Sequence, residues 1–91
     1  PAAERVADMK IRLRYFASLR EALGQGETLD VADGTTVATL RDTLIARGEP
    51  HAGALRRGRA LRAALNQQMC AEDTVLVEGA ELAFFPPVTG G

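Results

Sequence analysis

Residues 10–16 read Lys-Ile-Arg-Leu-Arg-Tyr-Phe, and this alternation constrains the fold more than any other segment. Ile11, Leu13 and Tyr15 fall on one side of an extended chain, and Lys10, Arg12 and Arg14 on the other. Side chains of a strand repeat every two residues, so the segment is a strand with one apolar face that needs a cover. A helix supplies it. Thr35-Thr36 offers an N-cap, and Val37, Leu40, Leu44 and Ile45 recur at the spacing of one helical stripe through about Arg47. Gly48 ends that helix.

The remaining segments fit around this pair. Residues 17–23 read as a short helix stopped by Gly24. Residues 27–31 alternate again, with Leu29 and Val31 inward, and Asp33-Gly34 turns the chain into the main helix. The first two strands are expected to pair antiparallel. An Arg-rich connection over 49–58 has room for one more helical turn. Residues 61–66 form a third strand with Leu61, Ala63 and Leu65 inward, and after a turn at Asn66-Gln67 a short fourth reaches Cys70. Residues 73–77 are loop or a brief strand, Glu78-Gly79 turns, and 81–85 are the last strand. The fold class is therefore α+β: a mixed sheet curled around one main helix, with the first and last strands parallel neighbours at its centre, as in β-grasp (ubiquitin-like) domains. Residues 1–8 are expected to be a disordered extension or an expression remnant, 9–85 the domain, and 86–91 an extended tail.

Composition narrows the function. The chain is 46% apolar and 25% charged with a net charge of −1, so no global field favours nucleic acid or an anionic membrane. No apolar run suggests a membrane span or a signal peptide, and a soluble, cytoplasmic protein is expected. One cysteine, Cys70, excludes an internal disulfide, and with a single histidine, His51, a cysteine-based zinc site is not expected. The glycines form no phosphate-binding loop, so no nucleotide site is expected on this chain.

The last residues, Phe84-Phe85-Pro86-Pro87-Val88-Thr89-Gly90-Gly91, carry the functional signal. Terminal glycines pack nothing and are costly to order. They offer a slim backbone with a bare α-carboxylate, able to enter a channel that excludes larger residues. Two prolines hold the tail extended, and six residues from Pro86 reach roughly 20 Å at about 3.3 Å each.

This ending resembles that of the small, sulfur-carrying subunits of molybdopterin synthase, members of the ubiquitin-like sulfur-carrier family. Further matches are Ile11-Arg12-Leu13-Arg14-Tyr15-Phe16-Ala17 with Leu19-Arg20-Glu21, and Ala64-Leu65-Asn66-Gln67. The resemblance implies a β-grasp domain whose Gly91 carboxylate is adenylated with ATP by a ubiquitin-activating-like adenylyltransferase. A sulfur donor protein then converts it to a thiocarboxylate, and the sulfur passes to a cyclic pterin precursor inside the large synthase subunit, in a heterotetramer. Gly91 and Gly90 would carry the chemistry; ATP would enter only through the activating enzyme, no cofactor or metal would be held by this chain, and the catalytic pocket would be the large subunit's. Phe85, Pro86, Pro87, Val88 and Thr89 would meet the partner.

Alternatives remain at this level. A carrier for thiamine or cysteine synthesis would keep Gly-Gly but usually not the lead-in. A protein modifier joined to lysines is disfavoured by ten arginines against the single Lys10. A plain interaction module would tolerate loss of Gly90-Gly91. Phe84 shares parity with Leu82 and belongs in the core, which leaves Phe85 facing outward with Ala83 as an exposed partner anchor; covering a core edge is its other role. Arg20 resembles a surface arginine of the family that meets a partner carboxylate, although a solvated helix face accounts for it as well. Arg56, Arg57, Arg59 and Arg62 read as a solvated basic loop, Cys70 as a small buried hydrophobe rather than a sulfur relay, and His51 as no ligand.

Overall fold

A computed structural model describes residues 8–87. Eight elements follow in order: β1 (Asp8–Tyr15), α1 (Ser18–Leu23), β2 (Gly26–Ala32), α2 (Val37–Ile45), α3 (His51–Ala54), β3 (Arg62–Leu65), β4 (Gln68–Cys70) and β5 (Glu81–Phe85). They build one sheet in the order β2-β1-β5-β3-β4. β1 and β5 run parallel in its middle, Tyr15 opposite Phe84, while β1–β2, β3–β5 and β3–β4 are antiparallel.

Alternation decides which side of β1 is buried: Met9, Ile11, Leu13 and Tyr15 are enclosed while Lys10, Arg12 and Arg14 are exposed. Leu29 and Val31 of β2 are half-buried against the same core, which Val37, Leu40 and Leu44 of α2 cover. β1 starts at Asp8, two residues before the expected strand and inside the segment 1–8 expected to be an extension, because its register with β2 runs on to Asp8↔Ala32. Thr36 caps α2 as expected, its hydroxyl accepting from the Thr39 N–H at 3.1 Å. The helix ends at Ile45 rather than near Arg47: the Arg47 and Gly48 N–H groups donate to Leu44 and Ile45, a tighter turn than the α-helix. The expected extra helical turn is α3, and Leu55 behind it is fully buried.

The third strand is shorter than 61–66. Asn66 and Gln67 take φ values of 50° and 70°, so they form the hairpin turn into β4. Residues 73–77 join none of the described strands; Val75 makes an isolated bridge to Thr36, the cap residue of α2. Gly26 opens β2 at φ 141°, where a β-carbon would stand 1.9 Å from the Leu13 carbonyl oxygen, so only glycine fits.

Among the described residues, one charged side chain lies in the interior. Arg41 of α2 is 3% exposed. Its Nε donates to the Leu55 carbonyl at 2.8 Å, and one terminal nitrogen donates to the Arg56 and Arg59 carbonyls at 2.7 and 3.0 Å. The other donates to Glu72 Oε2 at 2.6 Å. Arg57 bonds the second Glu72 oxygen, Asp42 and the Ala38 carbonyl, and Arg59 reaches Ser18 Oγ at 2.7 Å. The expected solvated basic loop is therefore a clamp that ties residues 55–59 to α2, because its guanidinium groups find carbonyls and carboxylates within the fold. Arg56 and Arg57 stay exposed while their bonds point inward.

Candidate functional site

The tail leaves from the middle of the sheet. β5 lies between β1 and β3, and its alternation sends Leu82 and Phe84 into the core, both 0% exposed. Glu81, Ala83 and Phe85 face the other way. The Phe16 N–H donates to the Phe84 carbonyl at 3.2 Å, the last ladder bond on that side. Pro86 and Pro87 have no N–H to continue the ladder, so the strand stops there.

Phe84 is in the core as expected, but Phe85 is half-buried rather than exposed. A central strand has neighbours on both sides, and Phe85 stands directly opposite Arg62 of β3. One step past the Tyr15↔Phe84 pair, Phe16 comes beside it on the β1 side. Ala83, flanked by Arg14 and Ala64, is only 8% exposed for the same reason. Pro86 and Pro87 are also half-buried, so the tail begins against the body rather than clear of it. Val88, Thr89, Gly90 and Gly91 lie outside the described residues.

Arg20 sits on α1, a helix that packs beside β5, and its side chain is exposed with no ion-pair partner among the described residues. Ala17, at φ 56° and ψ −132°, makes the turn that folds α1 back from the end of β1. Phe85, Pro86, Pro87 and the helix bearing Arg20 are thus brought to one end of the sheet.

The outer sheet face also carries groups that the sequence reading missed. Phe16 is 37% exposed and Met69, paired with Ala64, is 58% exposed. With Ala64, Ala83 and Phe85 they form an apolar strip where a solvated face would be polar. The signal was available: apolar residues at positions whose parity points away from the core. The Arg14 guanidinium lies 5.2 Å from the centre of the Phe16 ring and 3.3 Å from Glu81 Oε2.

Beside the strip, between β3 and β4, a cleft of about 430 Å³ is lined by Arg62, Met69, Cys70 and Glu72 among others. Burial pushes the Cys70 thiol up from its ordinary value, with hydrogen bonds from Thr74 and Leu65 opposing. Cys70 is half-buried and packs against the core as a small hydrophobe does. Among the described residues no His, Cys, Asp and Glu group could hold a metal, and no helix is long and apolar enough to cross a membrane.

What this arrangement can do is present: a flat apolar strip with basic neighbours, and a chain end leaving beside it. The family model that matches is the ThiS family, over residues 13–91. The chain is 44% identical over 81 residues to the molybdopterin synthase sulfur carrier subunit of Escherichia coli, covering 89% of this chain and 99% of that one. Among solved structures, the HVO 2177 protein of Haloferax volcanii superposes with a TM-score of 0.74 at 28% identity, over 92% of this chain and 88% of the other. A chain of the protein-protein complex of subunits 1 and 2 of molybdopterin-converting factor from Helicobacter pylori is also similar: TM-score 0.58, 26% identity, 91% of this chain and 100% of that one covered. The mixed sheet around α2 is a β-grasp fold.

Proposed function

This chain belongs to the ThiS family, and from that premise we propose that it is the sulfur carrier subunit of a cytoplasmic molybdopterin synthase. The observation that carries the reading is the place where the tail departs: a rigid central strand ends in Pro86-Pro87 beside an apolar strip formed by Phe16, Met69 and Phe85. A carrier needs both parts. The strip docks the large subunit, and the tail delivers its end to that subunit's cavity while the domain stays outside.

The chemistry falls on Gly91. A carboxylate is a poor electrophile, because its charge is delocalised and oxide is a poor leaving group. Adenylation with ATP by an activating enzyme provides AMP as the leaving group, and a sulfur donor protein turns the acyl-adenylate into a thiocarboxylate. Its sulfur is acidic and polarizable, hence a good nucleophile at neutral pH. Transfer to a cyclic pterin precursor inside the partner protects the sulfur from loss to water. Gly90 and Gly91 keep the arm thin, and Val88 and Thr89 join it to the docking strip. Alone the chain has no turnover; the synthase activity belongs to the complex.

Phe85 serves as an interface anchor from its half-buried seat, since aromatic anchors in desolvated pockets dominate binding energies. Arg20, exposed and unpaired among the described residues, is available to a partner carboxylate. The test is reconstitution: charged carrier, purified large subunit and pterin precursor should yield molybdopterin, and carrier lacking Gly91 should yield none. Product formation by the truncated carrier would refute the assignment.

A further inference from the structure

Four arginines among the described residues are occupied within the fold. Arg41, Arg57 and Arg59 hold the clamp described above, and Arg47 pairs with Glu27 at 2.7 Å. The outer sheet face is different. Register brings Lys10, Arg12 and Arg14 of β1 and Arg62 of β3 onto it, against Asp30 of β2 and Glu81 of β5. Four cations stand there against three carboxylates, the third being Asp8 at the far start of β1, in a chain whose net charge is −1.

Asp30 and Glu81 are already engaged. Asp30 pairs with Lys10 at 3.0 Å and Glu81 with Arg14 at 3.3 Å. Arg12 and Arg62 are exposed and have no carboxylate in ion-pair range among the described residues. They are also placed with purpose relative to the apolar strip. Arg62 is the direct cross-strand neighbour of Phe85, and Arg12 stands opposite Glu81, two residues before Ala83. The apolar strip is therefore bracketed by uncompensated positive charge. Two copies of this chain would meet strip to strip with like charges opposed, which disfavours self-association through this face.

Resting on the sulfur-carrier reading, we propose that Arg12 and Arg62 select an acidic rim on the large synthase subunit, carboxylates surrounding the apolar seat of Phe16, Met69 and Phe85. The apolar contacts set how long the complex lasts, and the arginines set how fast and in which orientation it forms. Steering of this kind acts over distances comparable to the screening length and weakens as salt is added.

The test measures association and dissociation rates of the full chain with its purified large subunit over a range of ionic strength. The wild-type association rate should fall by about tenfold or more from low to high salt. Arg12→Glu with Arg62→Glu should lower the low-salt rate by about tenfold and flatten the salt dependence, with Arg→Gln variants intermediate. Dissociation should change little in these variants and accelerate in Phe85→Ala. Both arginines are exposed, so unfolding curves of the variants should match wild type, and the Gln pair gives the same reading should the Glu pair unfold. Tight binding with a rate indifferent to salt and to both reversals would overturn the acidic rim while leaving the carrier reading intact. Absence of any binding by the wild type would defeat the carrier reading itself. Salt-sensitive self-association through Arg12 and Arg62 would assign the face to a second copy and also overturn the inference.

Discussion

Tyr15 and Phe84 are register partners in the parallel β1–β5 ladder, 2% and 0% exposed, and they anchor the strand that hands the chain over to its tail. One residue later the side chain points to the opposite face. Adjacent phenylalanines therefore lie in different surroundings, one in the core and one on the apolar strip.

Substitution should separate these roles. Phe84→Ala removes a fully buried ring and should cost about 3–5 kcal/mol of stability. Phe85→Ala, on the half-buried outer face, should cost about 1 kcal/mol yet weaken large-subunit binding by more than tenfold. Urea unfolding and a binding titration on the same two variants check the split. Equal stability losses with unchanged binding in Phe85→Ala would return that ring to a purely structural role.

Tyr15 also carries a defect. Its hydroxyl is buried and has no hydrogen-bond partner among the described residues. Burial pushes the phenol up to about 12, the Glu27 carboxylate adding to the shift and Arg47 opposing it, so the group stays neutral in the folded state. Tyr15→Phe removes an uncompensated polar atom and keeps the ring. Stability should rise by about 1 kcal/mol, read as a higher denaturation midpoint at unchanged slope.

The Arg41 clamp should be the most sensitive polar element. Arg41→Met orphans the Leu55, Arg56 and Arg59 carbonyls and one Glu72 oxygen. A loss of about 3–5 kcal/mol is expected. Hydrogen exchange should show the loss of protection beginning in residues 55–59, where the clamp holds the chain, and Arg41→Lys should not restore it.

Acid should release the same clamp. Burial acts to raise the Glu72 carboxyl, but hydrogen bonds from Arg57 and Arg41 prevail and hold it below its ordinary 4.5. The Arg57 hydrogen bond likewise holds Asp42 below 3.8. Groups depressed in the folded state contribute stability above their unfolded values and lose it as pH falls through the folded ones. Stability should therefore be flat in this respect above about pH 5 and decline below about pH 4.5. Arg57→Gln should flatten the decline, measured as the denaturation midpoint against pH.

Local pattern was enough for much of the fold. The parity of Ile11, Leu13 and Tyr15, the stripe of Val37, Leu40 and Leu44, and the turn at Asn66-Gln67 each report on a few neighbouring residues, and the sheet follows once their apolar faces must share one core. Arg41 was not legible, because its burial depends on carbonyls more than a dozen residues away that only tertiary structure assembles. Phe85 was read on the correct face but too exposed, since strand parity says nothing about what stands on the adjacent strands. Phe16 and Met69 were missed because an apolar residue on an outward position reads as noise until strand register sets Met69, Ala64 and Ala83 in one row next to the Phe85–Arg62 pair.

A sulfur carrier of this kind must be charged at its final glycine. Incubated with its activating enzyme, ATP and a sulfur source, the protein should gain, by intact mass, the difference between one sulfur and one oxygen, with fragmentation placing the change on Gly91. A mass that stays unchanged, or a sulfur found elsewhere in the chain, would contradict it.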